Sequence, residues 1–380
     1  MNKTAVALCL LLLMPGCGGG KTVREEPAKL QEFTAEKRIV EIWTADSGAS
    51  AVKKAVVLSP ALDGDVIFTS DPKGRVRAFA ADSGRERWET HVSQLVTGAT
   101  AAGDGLVVVA TKKGEVIALD RADGRRLWTS NLSSLALAPA AISAGVVVVQ
   151  SVDGKLTGLS AADGKRLWRY ERTEPPLSLY GTARPVIVAD AVLTGFASGK
   201  VVAVQIRNGK LLWELPVAQP QGRNEVERLV DVDVSPVVVR NVLYAASYQG
   251  RIIALDAQTG RILWSRDAST FSGMDSDANN IYLTDDRGNV LAFDQRTGAS
   301  VWKQEQLRAR QLNAPRYVDG LVVVGDFEGY VHWLSSDDGH VVARHRIGSS
   351  AVRAQVLVSD GKLFVSNQSG NLAALRLEKN

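Results

Sequence analysis

Few side chains in this 380-residue chain are of types that do chemistry, and their spacing decides among them. Asp120, Asp256 and Asp294 each stand just before a glycine turn, and Asp256 and Asp294 each have a threonine three places on, Thr259 and Thr297. Either aspartate is a candidate catalytic carboxylate. The same residue order also bonds a tight turn to itself, and its repetition favours that structural role. Asp285 and Asp286 read as another turn. The four histidines, His91, His332, His340 and His345, make no metal-ligand spacing with one another or with a cysteine. Cys9 and Cys17 are the two cysteines, so the body of the chain has no disulfide and no thiol chemistry. No Ser/His/Asp order, EF-hand loop or Gly-rich phosphate loop is present. The expectation is a chain with no catalytic residue, no metal and no cofactor.

The elements that carry these residues form one unit, made many times. Residues 250–264 (GRIIALDAQTGRILW) read as strand, tight turn and strand, ending on a tryptophan. The pattern recurs at 74–88, 114–128, 154–168, 199–213 and 288–302, and at 329–343 with Ala343 in the tryptophan place. A further copy begins at Gly370, where the chain is about to end. Successive tryptophans from Trp88 to Trp302 lie 40, 40, 45, 51 and 38 residues apart. A period near forty is the length of one four-stranded propeller blade.

The prediction is an all-β, eight-bladed β-propeller of four-stranded antiparallel blades over residues 38–380. Its blades are expected at 50–91, 94–132, 134–172, 178–217, 228–267, 270–306, 309–347 and 350–378, the last completed by 38–45. Residues 38–43 (RIVEIW) alternate apolar and polar residues and supply the strand and tryptophan that the C-terminal copy lacks. Pairing of that N-terminal strand with the C-terminal blade would close the ring and remove its exposed edges. Trp43, Trp88, Trp128, Trp168, Trp213, Trp264 and Trp302 are expected to fasten one blade to the next, each indole N–H finding a partner. Trp333 is expected to fill the space that Ala343 leaves.

Charge is mixed, 45 Lys+Arg against 41 Asp+Glu, and the basic residues are scattered through turns. Nothing in that pattern suggests nucleic acid as a partner. At the N-terminus Lys3 precedes a short apolar run, 5–14, then Gly16 and Cys17. The run is too short to span a bilayer as a helix. It resembles a bacterial lipoprotein signal, although Met14 and Pro15 are unusual before the cysteine. The resemblance implies a signal peptide at 1–16, removed to leave Cys17 lipidated, with each buried methylene contributing about 0.8 kcal/mol to anchoring. Residues 17–37 read as the lipidated cysteine and a flexible tether. Gly18 in place of Asp points to the outer membrane, with the ring on its periplasmic face.

Two insertions break the repeat and account for the 45- and 51-residue spacings: 175–181 (PPLSLYG) and 225–236 (EVERLVDVDVSP). Insertions in such folds tend to lie on one face, often the binding face. Leu177 and Leu179 beside Asp231 and Asp233 read either as an apolar patch with an acidic rim, a protein-binding surface, or as leucines tucked into a seam with the aspartates capping the loop.

The A-x-D-x-x-T-G-x-x-x-W motif resembles the quinoprotein repeat shared by pyrroloquinoline-quinone dehydrogenases and by the BamB family, non-catalytic lipoproteins of the outer-membrane β-barrel assembly machinery. The second likeness covers essentially the whole mature chain, both insertions included. It implies that the insertions dock the POTRA domains of BamA, through Leu177, Leu179, Asp231 and Asp233, with Glu225 and Arg228 as weaker candidates. Tyr180 stands where that family commonly has arginine. Nascent outer-membrane proteins, added as strands to blade edges, are a further expected partner. The dehydrogenases typically carry adjacent cysteines and Ca²⁺ ligands that this chain lacks. A ligand-binding propeller using its central channel is the third reading.

Overall fold

A computed structural model describes residues 25–49, 51–52, 56–175, 177–179 and 181–378. They form eight four-stranded antiparallel sheets and one short two-stranded pair, Ala51–Val52 with Val56–Val57. Seven sheets take their strands in chain order; blade five, for example, is Val237–Val239, Val242–Ala246, Arg251–Asp256 and Ile262–Asp267. The eighth pairs Ile39–Asp46 with Asn371–Leu377 from the opposite end of the chain. The ring is therefore closed by the N-terminal strand, and Glu378 N–H donates to the Arg38 carbonyl where the ends meet (2.9 Å).

Burial explains the strand compositions. Leu106–Thr111 and Val146–Ser151 are buried along their whole length because neighbouring blades cover both faces, and β-branched side chains suit that position. The outermost strands Glu86–His91, Arg126–Asn131 and Arg166–Glu171 are mostly exposed, with the tryptophan as their one buried residue. Each outermost strand also breaks register just before the tryptophan position, at Ala118/Leu119 opposite Trp128 in blade two, for instance. Such bulges interrupt the row of free backbone groups that an added strand would use.

The tryptophans fasten blades in one repeated way. Trp88, Trp128, Trp168, Trp213, Trp264 and Trp302 donate their indole N–H to the carbonyls of Arg121, Ala161, Ile206, Ala257, Gln295 and Ser336, each in the next blade's last turn, at 2.6–3.0 Å. Trp43 does the same across the closure, to Ala81 (3.2 Å). The glycine of the receiving turn lies flat on the ring. In blade five it is Gly260, at φ +72°, and a Cβ there would come within 3.0 Å of the Trp213 indole. Glycine is needed twice over, for the positive φ and for the close approach.

Blade seven departs from this pattern for a visible reason. Its tryptophan would dock on the turn between the third and fourth strands of blade eight, and there the chain ends and begins. Ala343 takes the outer position instead, and Trp333 lies directly opposite it, fully buried. In the other blades a small residue faces the tryptophan, as Ala118 faces Trp128 and Gly158 faces Trp168. Blade seven exchanges the two sizes across the same strand pair.

One expectation needs correcting. Residues 25–37 are not a free tether; they lie along blade seven as a strap. Ala28 N–H donates to the Arg308 carbonyl (3.0 Å) and Glu36 N–H to the Val342 carbonyl (3.0 Å). Arg310 donates to the Ala28 carbonyl, Arg344 donates to the Gln31 carbonyl and stacks over Phe33, and Leu30 packs into the blade six–seven core. Behind the strap, Arg344 donates to His332 Nδ1 (3.2 Å), which leaves Nε2 to donate to the buried Asp326 (3.1 Å). Burial lowers the His332 pKa, consistent with this neutral ring. The polar composition hid all this, because the strap's partners are backbone carbonyls and long cationic side chains of a distant blade.

Candidate docking site

Both insertions are crossings from the outermost strand of one blade to the innermost strand of the next, so they emerge on the same face. The first lies between Arg166–Glu171 and Val186–Val188, the second between Leu211–Pro216 and Val237–Val239. They meet. Leu179 N–H donates to the Asp231 carboxylate, and Arg184 N–H donates to Ser235 Oγ (3.2 Å). Gly181 gives the second insertion its room, since a Cβ there would sit 2.6 Å from Asp233 Oδ2. Val232, between the two aspartates, is wholly buried and packs where Gly195 has no side chain.

Of the residues singled out, Leu177 is 41% exposed, Leu179 is half-buried, and Asp233 is half-buried at the mouth of the central channel. Asp231 is 1% exposed, so the acidic rim expected from the sequence is in part an acidic floor. Its position follows from alternation: Val230, Val232 and Val234 anchor the segment in the core, and Asp231 must bond the loop above to stay folded in. Glu225 and Arg228 form an exposed pair with each other (3.6 Å) on the far bend of the second insertion, a contact of little energetic weight. Tyr180 and Cys17 lie outside the described residues.

A third carboxylate, which the sequence reading missed, completes the floor. Glu174 lies under the first insertion, and burial with the nearby Asp231 pushes its pKa up to about 7. Burial raises Asp231 to about 6, and burial with the charges of Asp231 and Glu174 raises Asp233 to about 8. Asp231 Oδ1 and Glu174 Oε2 are buried with no hydrogen-bond partner among the described residues. Arg172, whose charge acts on Glu174, is already bonded to Glu214. Unpaired buried carboxylate oxygens are costly and rare. Glu174 precedes the two prolines that open the insertion, and that position was the one available signal.

The carboxylates that looked catalytic are otherwise occupied. Asp256 Oδ1 accepts from Thr259 N–H (2.8 Å) and Oγ1 (2.9 Å), and Asp294 Oδ1 accepts likewise from Thr297 (2.7 and 2.6 Å). Asp120 bonds Ala122 N–H in its own turn (2.8 Å). Among the described residues no group of three or more His, Cys, Asp or Glu is placed to hold a metal ion.

A family model described as outer membrane protein assembly factor BamB matches residues 19–97 and 72–304. The chain is 47% identical to the outer membrane protein assembly factor BamB of Pseudomonas aeruginosa over 372 residues, 98% of each chain. The chain belongs to the BamB family. The Escherichia coli BamB is 33% identical over 88% of each chain. The crystal structure of BamB from Moraxella catarrhalis superposes with a TM-score of 0.82 at 27% identity, covering 89% of this chain and all of that one. A quinohemoprotein alcohol dehydrogenase from Pseudomonas putida shares the fold alone, with a TM-score of 0.69 at 13% identity. The BamB family membership covers both insertions, and the dehydrogenase likeness carries no argument about chemistry.

Proposed function

We propose that this chain is a non-catalytic scaffold for the assembly and insertion of outer-membrane β-barrel proteins, docking the POTRA domains of BamA on its two insertions. Its curated relatives are named assembly factors, which supports the scaffold reading. The observation that carries the docking reading is the meeting of the insertions above a cluster of carboxylates, two of whose buried oxygens have no partner among the described residues, with Leu177 left exposed. A folded chain that keeps a solvent-facing leucine next to a cluster of three carboxylates is poised for a partner with apolar and cationic groups. In this reading Cys17 carries the lipid that holds the ring to the periplasmic face of the outer membrane.

The experiment is capture of purified POTRA domains of BamA by the full chain. Wild type is expected to retain them, and Leu177→Ala/Leu179→Ala is expected to lose most of the capture with an unchanged melting temperature. Undiminished capture by that variant would remove the assigned surface.

A further inference from the structure

The apolar surface on this face continues past the two insertions. The crossing from blade five to blade six contains Thr270, Phe271 and Ser272. Thr270 Oγ1 donates to the Thr284 carbonyl (2.6 Å) and its N–H to the Ser247 carbonyl (3.2 Å). Ser272 Oγ donates to the Leu312 carbonyl (3.1 Å), and its N–H to Thr270 Oγ1 (3.2 Å). Both neighbours are turned inward and fixed, so Phe271 is held outward, 55% exposed. Its ring meets the Tyr248 ring edge-on at 6.1 Å, and Tyr248 N–H donates to the Asp231 carbonyl (2.9 Å). Val226, 60% exposed, lies at the tip of the second insertion, where its carbonyl faces the Gln249 side chain. Leu179, Asp233, Tyr248 and Phe271 line the same channel mouth.

An aromatic ring pinned outward contributes little to folding, while aromatic groups next to a desolvated pocket dominate binding energies. We propose that Tyr248 and Phe271, with Val226, form the second half of the docking surface, an aromatic shelf for an apolar side chain of the docked POTRA domain. Asp233, half-buried at the channel mouth with Asp231 and Glu174 behind it, receives a basic side chain from the same segment, beside the apolar one. Charge complementarity selects that occupant, since Asp233 lines the channel mouth and the charges acting on it, Asp231 and Glu174, are both acidic. The inference rests on the docking reading above and extends it to a third crossing.

Calorimetric titration of the full chain in detergent with the purified POTRA domains of BamA tests the shelf. Phe271→Ala is expected to raise Kd about tenfold or more, with its melting temperature unchanged, and Phe271→Tyr to stay within about twofold of wild type. Leu179→Ala is expected to weaken binding independently. If Leu179→Ala weakens binding and Phe271→Ala does not, the shelf is overturned and the docking reading stands. If wild type does not bind at all, the docking reading fails and the shelf falls with it. A Phe271→Tyr variant as weak as Phe271→Ala would also contradict an aromatic shelf.

Discussion

Trp333 and the acidic floor are the two places where single residues carry the most energy. Trp333 fills the space across from Ala343 at a seam that has no glycine turn to receive a tryptophan from blade seven. Truncation would open a large cavity between blades seven and eight, so Trp333→Ala is expected to cost about 3–5 kcal/mol in chemical denaturation; a neutral variant would show that another group fills the seam. The carboxylates Glu174, Asp231 and Asp233 behave differently, because their folded pKa values, about 7, 6 and 8, lie above those of the unfolded chain. The folded state therefore binds more protons than the unfolded state between roughly pH 4 and pH 8, and stability falls as pH rises through that window. Raising the pH from 5.5 to 8.5 is expected to speed proteolytic cleavage in residues 173–183, and Asp233→Asn to flatten that dependence. Cleavage that slows with rising pH would contradict the acidic floor.

The strand unit was the most legible element. Its Gly and Trp recur at fixed offsets, joined in two copies by an Asp and a Thr, and each has a single physical role. The carboxylate bonds the turn, the glycine takes positive φ, and the tryptophan lies on the next blade's glycine. Closure by residues 38–46 was legible because the last copy lacked its tryptophan strand and the first segment supplied one. The strap at 25–37 was not, because polar residues that bond distant backbone look like tether to any local reading. Asp231 was half-legible: its place in the insertion was evident, its burial was not, since alternation in a loop gives no face until a neighbouring loop covers it. Truncation separates the two N-terminal elements. Removing residues up to 37 is expected to lower the melting temperature by a few degrees, through loss of the Leu30, Ala28 and Glu36 contacts. Removing residues up to 46 also strips a whole strand and Trp43 from blade eight, and is expected to abolish cooperative unfolding. Equal melting temperatures would refute closure by that strand.

At the scale of the whole molecule, the repeated tryptophan seams and the rearranged seam of blade seven hold the ring, while two insertions and the adjoining blade five–six crossing share one face. Leu127, Leu167, Leu212 and Leu263 are exposed too, but they lie at the bulges of the outer edges and belong to the repeat itself. Partner binding, on this reasoning, belongs to these crossings and not to the outer blade strands. Amide hydrogen exchange along the full chain, with and without the POTRA domains of BamA, separates the two. Protection confined to residues 173–183, 222–235, 248 and 270–272 is the expected result. Protection spread along the outermost blade strands, with those crossings unchanged, would show instead that the repeat carries the interface.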